Sequence, residues 1–518
     1  MFAPLQLLAE HPPLARLARL PYYRWLVVGT VCVGAFLGQL DASIASLVLP
    51  TLEQVFEAPV AAVEWVALAY LLTLAALVVP VGRLADLFGR KALYTAGFAV
   101  FTLGSALCGV APTLGWLIAC RVLQAVGAAL LQANSVAIIA AAARPRELGR
   151  AVGVQGAAQA IGLAVGPSVG GLLIAALGWQ WVFYIAVPFG LAGVVLGWLV
   201  LPVTAREPQA TAQGERFDWL GAVLLAAAIA LGLLALTYGG LWGWTSPRLL
   251  ATAGAAAILL VAFVSWEGRV RSPLVDFELF RQRVFSASIV AGLLSYAVLF
   301  GSLYLLPFAL QRAQGQGPAA TGLLLSPIPL AIGLLAPVGG LLADRLGARP
   351  PTVAGMLVAA AALLSLALAP HAPLPVVLGV LGVLGAGVGA FTPANNSAIM
   401  ASAPPHRRGV AAGLLNMTRS LGTSLGVAVA GTLLQVRLAA RLGHPVQSTL
   451  DVPAAALQAA FQEVLVALAG VAVLAGLLSV ARGARPVAGR RASPQVGASA
   501  VPAARHGGAE DPSLYPTR

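Results

Sequence analysis

The chain has 518 residues, of which 59% are hydrophobic and only 9% are charged. Soluble proteins are typically about 45 to 50% apolar and about 25% charged, so this composition excludes a soluble multidomain protein. The net charge of +13 comes from arginines in short clusters between apolar runs. We interpret these clusters as topology signals and expect no nucleic-acid partner, because the basic residues form no continuous stripe.

Apolar runs recur along the whole chain, and a run of about 20 residues is long enough to cross a bilayer. We predict fourteen membrane helices, near residues 25–49, 62–81, 92–111, 114–141, 151–176, 183–202, 219–238, 249–266, 285–310, 320–342, 352–369, 374–400, 409–434 and 459–480. The segment before the first run lacks the apolar core and cleavage site of a signal peptide. We therefore expect an uncleaved first helix in an all-α integral membrane protein.

The loops predict the orientation of the chain. Arginine and lysine are concentrated in the loops that follow the even-numbered helices, and cytoplasmic loops carry such residues. The first loop on the other side holds Glu53, Glu57 and Glu64 instead. We expect a multi-pass protein of the inner (plasma) membrane with both termini in the cytoplasm.

An internal repeat divides the chain. Residues 82–91 align with residues 340–349, and both segments follow a predicted helix on the cytoplasmic side. Equivalent topology in the two halves indicates two parallel six-helix repeats. The predicted organisation is an N-terminal cytoplasmic segment (1–24), a first repeat (25–202), a linker with two inserted helices (203–283), a second repeat (284–480) and a disordered cytoplasmic tail (481–518).

Two buried charges are the main functional candidates. Asp41 is the one acid that falls clearly within a predicted span, and an intramembrane ionisable residue is a functional hypothesis by default. Arg121 lies at a similar depth in predicted helix 4, so the two could meet. The alternatives are a structural carboxylate bonded to backbone and an arginine bonded only to helix-end carbonyls. Arg419 lies about 16 Å into predicted helix 13, and its partner is left open.

Several motifs carry a resemblance to a known family. The loop G-x-L-A-D-x-x-G-R-K at 82–91 resembles the loop signature of the major facilitator superfamily. Residues 40–50 resemble the helix 1 motif of its fourteen-helix drug:proton antiporter branch, and Arg121 to Gln124 with Gly127 resembles the helix 4 motif. The segment 162–171 resembles the helix 5 antiporter motif, and Trp65 with Tyr70 is similar to the family's opening of helix 2. Ala125 and Ala186 depart from the family pattern.

The resemblance implies roles for these residues. Asp41 and Arg121 would couple transport to protons. The glycine spacing of helix 5 would let a neighbouring helix approach closely, and the loop signature would latch the cytoplasmic face, with a topology and capping signal as the alternative. The predicted gating loop is Gly82, Asp86, Gly89, Arg90, Lys91 and Asp344; the antiporter helix motif is Gly162, Gly166, Pro167 and Gly170; the candidate substrate path is Trp65, Tyr70, Gln124, Asn416 and Arg419.

The resemblance also implies a function. We expect a secondary active efflux transporter that exchanges protons for amphiphilic drugs or toxic small molecules by alternating access. The alternatives are a dedicated exporter of one metabolite or antibiotic, a symporter or lipid flippase, and a membrane enzyme. No catalytic constellation or nucleotide-binding loop is visible, so we expect no enzyme activity.

The expected energy source is the proton gradient, without a cofactor or metal. The expected partners are a small-molecule substrate, protons and the bilayer. We expect a monomer, with accessory export proteins as an open possibility.

Overall fold

The structure, a computed structural model, describes residues 12–144, 147–203, 218–270, 274–275, 277–369, 372–404, 408–444, 446, 449 and 452–482. Within these residues every regular element is helical. Residues 1–11 of the predicted N-terminal segment and residues 483–518 of the predicted tail lie outside them.

In the described residues, fourteen helical spans, some of which join a main helix to an adjoining short one, are long and apolar enough to cross a membrane, which confirms the predicted number. The main helices are α1 (Tyr23–Val55), α2 (Trp65–Phe88), α3 (Arg90–Gly109), α4 (Leu114–Ala142), α5 (Leu148–Leu177), α6 (Ala186–Val200), α7 (Trp219–Trp242), α8 (Pro247–Glu267), α9 (Arg283–Phe308), α10 (Pro327–Leu346), α11 (Arg349–Leu368), α12 (Leu374–Ser402), α13 (Arg408–Leu442) and α14 (Ala454–Ala481). Short helices at Val60–Val63, Trp181–Tyr184 and Pro318–Leu325 precede α2, α6 and α10, and a π-helical turn at Ala309–Ala313 follows α9.

Three helices extend well past their predicted ends. Helix α1 continues through Pro50 to Val55, α2 continues to Phe88, and α13 continues to Leu442. Glu53, Arg437 and Arg441 therefore lie in helices and not in loops. Arg437 and Arg441 both contact Glu463 at the start of α14, so these polar side chains keep the helix ends together outside the apolar core.

The same helix pairings occur in both six-helix sets. Helix α1 packs on α5, α2 on α4, α3 on α4 and α3 on α6; correspondingly, α9 packs on α13, α10 on α12, α11 on α12 and α11 on α14. This correspondence agrees with the repeat that the sequence predicts. The inserted helix α7 packs against α2 and α13, one from each repeat, and α8 packs on α7.

The repeated loop contains a tight turn in each copy. Gly89 separates α2 from α3 with φ 102°, and Gly347 separates α10 from α11 with φ 84°. A side chain would be strained in this left-handed region, whereas glycine is not. The second glycine of the G-x-L-A-D-x-x-G pattern is therefore explained by the turn itself.

An even number of crossings places the start of α1 and the end of α14 on one side of the membrane. We call this the terminal side and the other the far side. The names describe the geometry and carry no assignment to a compartment.

Candidate functional site

Asp41 of α1 and Arg121 of α4 form a buried ion pair. One guanidinium nitrogen, Nη1 of Arg121, donates to both carboxylate oxygens of Asp41 at 2.8 and 2.9 Å. Arg121 is 1% exposed and Asp41 is 7% exposed. The structure thus brings together the two charges that the sequence singled out.

Neighbouring groups complete the hydrogen bonding of this pair. Gln124 donates from Nε2 to Asp41 at 2.9 Å and accepts from Arg121 at its Oε1. Arg121 also donates from Nε to the carbonyl of Val66 in α2 at 2.9 Å. Its guanidinium lies over the ring of Tyr70, with 4.2 Å between Cζ and the ring centroid. Burying two charges is costly unless they are paired and hydrogen-bonded. The arrangement meets both conditions and joins α1, α2 and α4 at one point.

The glycines of the antiporter motif hold α5 against α1. A Cβ at Gly162 would lie 2.5 Å from the carbonyl oxygen of Phe36, and one at Gly170 would lie 3.1 Å from Ile44. Gly166 faces Ser43, two residues beyond Asp41. Pro167 also lies within α5, and its carbonyl group is close to Gly322 of the second repeat. Helix α5 therefore packs against the helix that carries Asp41 and against the second repeat.

A cavity lies between the two repeats, beside the ion pair. Its walls come from α1 to α5 of the first repeat and from α9 and α13 of the second. The polar side chains of the walls are Gln39, Tyr70, Gln132, Ser135, Gln155, Gln159, Arg419, Ser420 and Thr423.

Only part of the predicted substrate path lines this cavity. Tyr70 and Arg419 do. Gln124 belongs instead to the hydrogen-bond network of the ion pair. Trp65 stacks on Tyr238 of α7, at 6.1 Å between ring centroids, because the inserted helix covers the far-side end of α2. Asn416 is half-buried in α13 but is not part of the cavity wall.

The predicted gating loop is only partly described. The side chain of Asp86 lies outside the described residues. Gly82 faces Ala133 of α4, Lys91 is buried, and Arg90 is half-buried. Asp344, the counterpart of Asp86 in the second repeat, is exposed. A latch that includes these residues remains a prediction.

Two buried acids on the far side were missed in the sequence, where both were assigned to a loop. Glu53, fully buried near the end of α1, accepts hydrogen bonds from the backbone N–H and the hydroxyl of Thr449, each at 2.7 Å. Arg312 of the second repeat lies 3.6 Å from Glu53 and donates to the carbonyl of Pro50 at 2.5 Å. Glu53 therefore links the end of α1 to the second repeat.

Glu64, at the start of α2, is the other missed acid. It is fully buried, and Tyr304 of α9 donates a hydrogen bond to it. In addition, Ser168 of α5 contacts Ser326, which precedes α10. These contacts join the two repeats on the far side. Apolar periodicity could not reveal them, because the partners lie more than 150 residues apart in the sequence.

No group of three or more His, Cys, Asp or Glu side chains suited to a metal ion occurs within the described part of the chain.

Comparison with known proteins gives a consistent result. The family model described as Major Facilitator Superfamily matches residues 31–427. The Riboflavin transporter RibZ of Clostridioides difficile is 34% identical over 406 residues, which cover 78% of this chain and 87% of that protein. The Multidrug resistance protein Stp of Mycobacterium tuberculosis is 33% identical over 411 residues, 79% of this chain and 76% of that protein. The Tetracenomycin C resistance and export protein of Streptomyces glaucescens is 32% identical over 429 residues, 83% of this chain and 78% of that protein.

Proposed function

Because this chain belongs to the major facilitator superfamily, we propose that it is a secondary active exporter that exchanges protons for amphiphilic drugs or toxic small molecules. The observation that carries the proposal is the buried pair of Asp41 and Arg121 beside a cavity between the two repeats. Relatives named for multidrug resistance and for tetracenomycin C export support the direction and the kind of substrate.

Asp41 is the proposed proton carrier. As a carboxylate it accepts three hydrogen bonds from Arg121 and Gln124. A proton on Asp41 removes its negative charge and leaves the buried guanidinium without a counter-charge, which is strongly unfavourable. Protonation therefore weakens the contact that joins α1 to α4 and favours a different arrangement of these helices.

Alternating access would use the contacts between the repeats. The far side is closed by the contacts of Glu53 with Thr449 and of Glu64 with Tyr304. The arginine-rich loops support a cytoplasmic location for the terminal side. We therefore assign this structure to a state closed toward the outside. Helix α5 would transmit changes at Asp41, since it contacts both α1 and the second repeat.

The remaining expectations follow from this mechanism. The protein would reside in the inner membrane with both termini in the cytoplasm, and it would use the proton gradient without a cofactor or metal. Its partners would be the substrate, protons and lipid, and it would act as a monomer without enzyme activity.

A dedicated exporter of one compound is the second candidate. The relative named as a riboflavin transporter favours it, because that name specifies a single substrate. The two candidates differ in the breadth of substrates and not in the mechanism.

A growth assay tests the proposal. A drug-sensitive bacterial host expresses the wild type or Asp41→Asn at equal membrane levels and is exposed to a panel of amphiphilic compounds and to riboflavin. We expect the wild type to protect against several unrelated compounds and Asp41→Asn to protect against none. Protection against one compound only would favour the dedicated exporter, and equal protection by both proteins would contradict a role for Asp41.

A further inference from the structure

The charge of the cavity between the repeats is unbalanced. Among the residues that line it, Arg419 is the only one with a formal charge. Asp41 is nearby, but its two carboxylate oxygens are occupied by Arg121 and Gln124. No acidic side chain of the wall therefore offsets the guanidinium of Arg419.

Arg419 is also weakly held. Among the described residues its hydrogen-bond partner is the amide oxygen of Gln159 in α5, at 3.4 Å, and no carboxylate of those residues lies within salt-bridge distance. Charge-assisted hydrogen bonds are typically about 2.7 to 2.9 Å long. The guanidinium therefore retains donors for a group that enters the cavity.

Two further wall residues carry unpartnered polar atoms. The hydroxyl of Ser420, which is 3% exposed, has no hydrogen-bond partner among the described residues, and neither has the amide Nε2 of Gln132. A buried polar group without a partner is costly and requires an explanation. Both groups can donate, so a ligand rich in acceptor oxygens would satisfy them.

Three aromatic side chains in the cavity wall favour ligands with planar rings. Phe101 of α3 and Phe300 of α9 line the cavity, one from each repeat, and Tyr70 adds a third aromatic ring. Aromatic rings pack well against planar ligands, in stacked or edge-on contact.

We infer that the exported substrates are planar, weakly acidic amphiphiles, whose anionic or acceptor oxygens bind Arg419 with Ser420 and Gln132 while their rings lie between Phe101 and Phe300. That these compounds are exported rests on the proposed function, whereas the binding preference rests on the residues of the cavity alone. A permanent cation of the same shape would meet an uncompensated guanidinium and should bind more weakly.

Two xanthene dyes of similar shape and opposite charge test this inference. Fluorescein is an anion at mildly alkaline pH, and rhodamine 123 is a cation. Their affinities for the full-length protein in detergent are measured by fluorescence anisotropy, without a proton gradient. We expect the wild type to bind fluorescein at least about tenfold more tightly than rhodamine 123. We expect Arg419→Gln to lose this preference, Arg419→Lys to retain part of it and Arg419→Glu to reverse it.

Arg437→Gln is the matched control, because Arg437 lies on the same helix but outside the cavity, paired with Glu463. It should bind both dyes like the wild type. Equal or tighter binding of rhodamine 123 by the wild type would overturn the inference, as would unchanged fluorescein affinity in Arg419→Gln. The reversed preference of Arg419→Glu also shows that this variant is folded. If the dyes bind as expected but no proton-driven transport occurs, the proposed function fails and the binding preference stands.

Discussion

At the scale of single residues, the geometry around Arg121 depends on a guanidinium and not merely on a positive charge. Nη1 contacts Asp41 and Gln124, while Nε on the other edge of the same plane contacts Val66. A lysine ammonium is a compact charge on a flexible stem and cannot span these positions at once. The planar group also lies against Tyr70.

Replacing Arg121 by lysine should therefore impair transport although the charge is kept. We expect Arg121→Lys to lower the rate of efflux by about tenfold or more, because one lost charge-assisted hydrogen bond in a buried site costs about 1.5 to 3 kcal/mol. The rate is measured as the efflux of a fluorescent compound from loaded cells. Arg437→Lys, at an exposed ion pair, is the control; an equal effect of both substitutions would contradict the argument.

Residues differ in how well the sequence predicts their burial and their partners. The pairing of Asp41 with Arg121 was predictable, because a charge in the middle of an apolar run is unusual and its cost calls for a partner. Glu53 and Glu64 lie at the ends of apolar runs, where a charged residue normally reaches the polar interface. Their burial depends on Thr449 and Tyr304 of the other repeat, and no local pattern contains that information.

At the scale of helices, the α1–α5 contact is held by close backbone approach. Gly162 is the critical position, since a Cβ there would meet the backbone carbonyl of Phe36 at 2.5 Å. A flexible side chain can move aside, but a helix backbone moves only if the whole helix moves. The helix that would have to move carries Asp41.

The variant Gly162→Val should separate α1 from α5. We expect a loss of stability of about 1 to 3 kcal/mol, typical of overpacking, and a lower thermal melting temperature in detergent. Gly153→Val is the control, because it places the same side chain on the same helix where nothing lies within 4 Å of a Cβ. Equal melting temperatures for the two variants would contradict close packing at Gly162.

The positions of the helices were predictable because a bilayer requires about 20 apolar residues for each crossing. The ends of α1 and α13 were not. Apolar length defines the part of a helix within the lipid, whereas α1 extends beyond it through contacts such as that of Arg312 with Pro50. The repeated loop has a structural counterpart, because its second glycine forms the turn in both copies.

At the scale of the whole molecule, the proposed alternating access would depend on the far-side contacts between the repeats. Arg312 of the second repeat reaches both Glu53 and the carbonyl of Pro50 in the first. Opening the far side must break these contacts. Removing one of them should therefore shift the population toward molecules that are open on that side.

Arg312→Gln tests this balance. Spin labels at Val55 and Gln314, both exposed, report the far-side distance after the native cysteines are replaced. We expect longer distances to become more populated, by about tenfold if the contact contributes about 1.4 kcal/mol. Arg441→Gln, whose partner Glu463 belongs to the same repeat, should leave the distances unchanged. The same distance distribution in Arg312→Gln and the parent would contradict a closing role for Arg312.

Proton exchange through Asp41 is the central claim, and proton movement in proteoliposomes tests it most directly. Vesicles containing wild type, Asp41→Asn or the control Glu463→Gln enclose a pH-sensitive dye, and a gradient of a compound selected by the growth assay is imposed. We expect wild type and Glu463→Gln to move protons against the flow of the compound, and Asp41→Asn to bind the compound but move no protons. Proton movement by Asp41→Asn at the wild-type rate, or compound flow through the wild type without protons, would rule out proton exchange through Asp41.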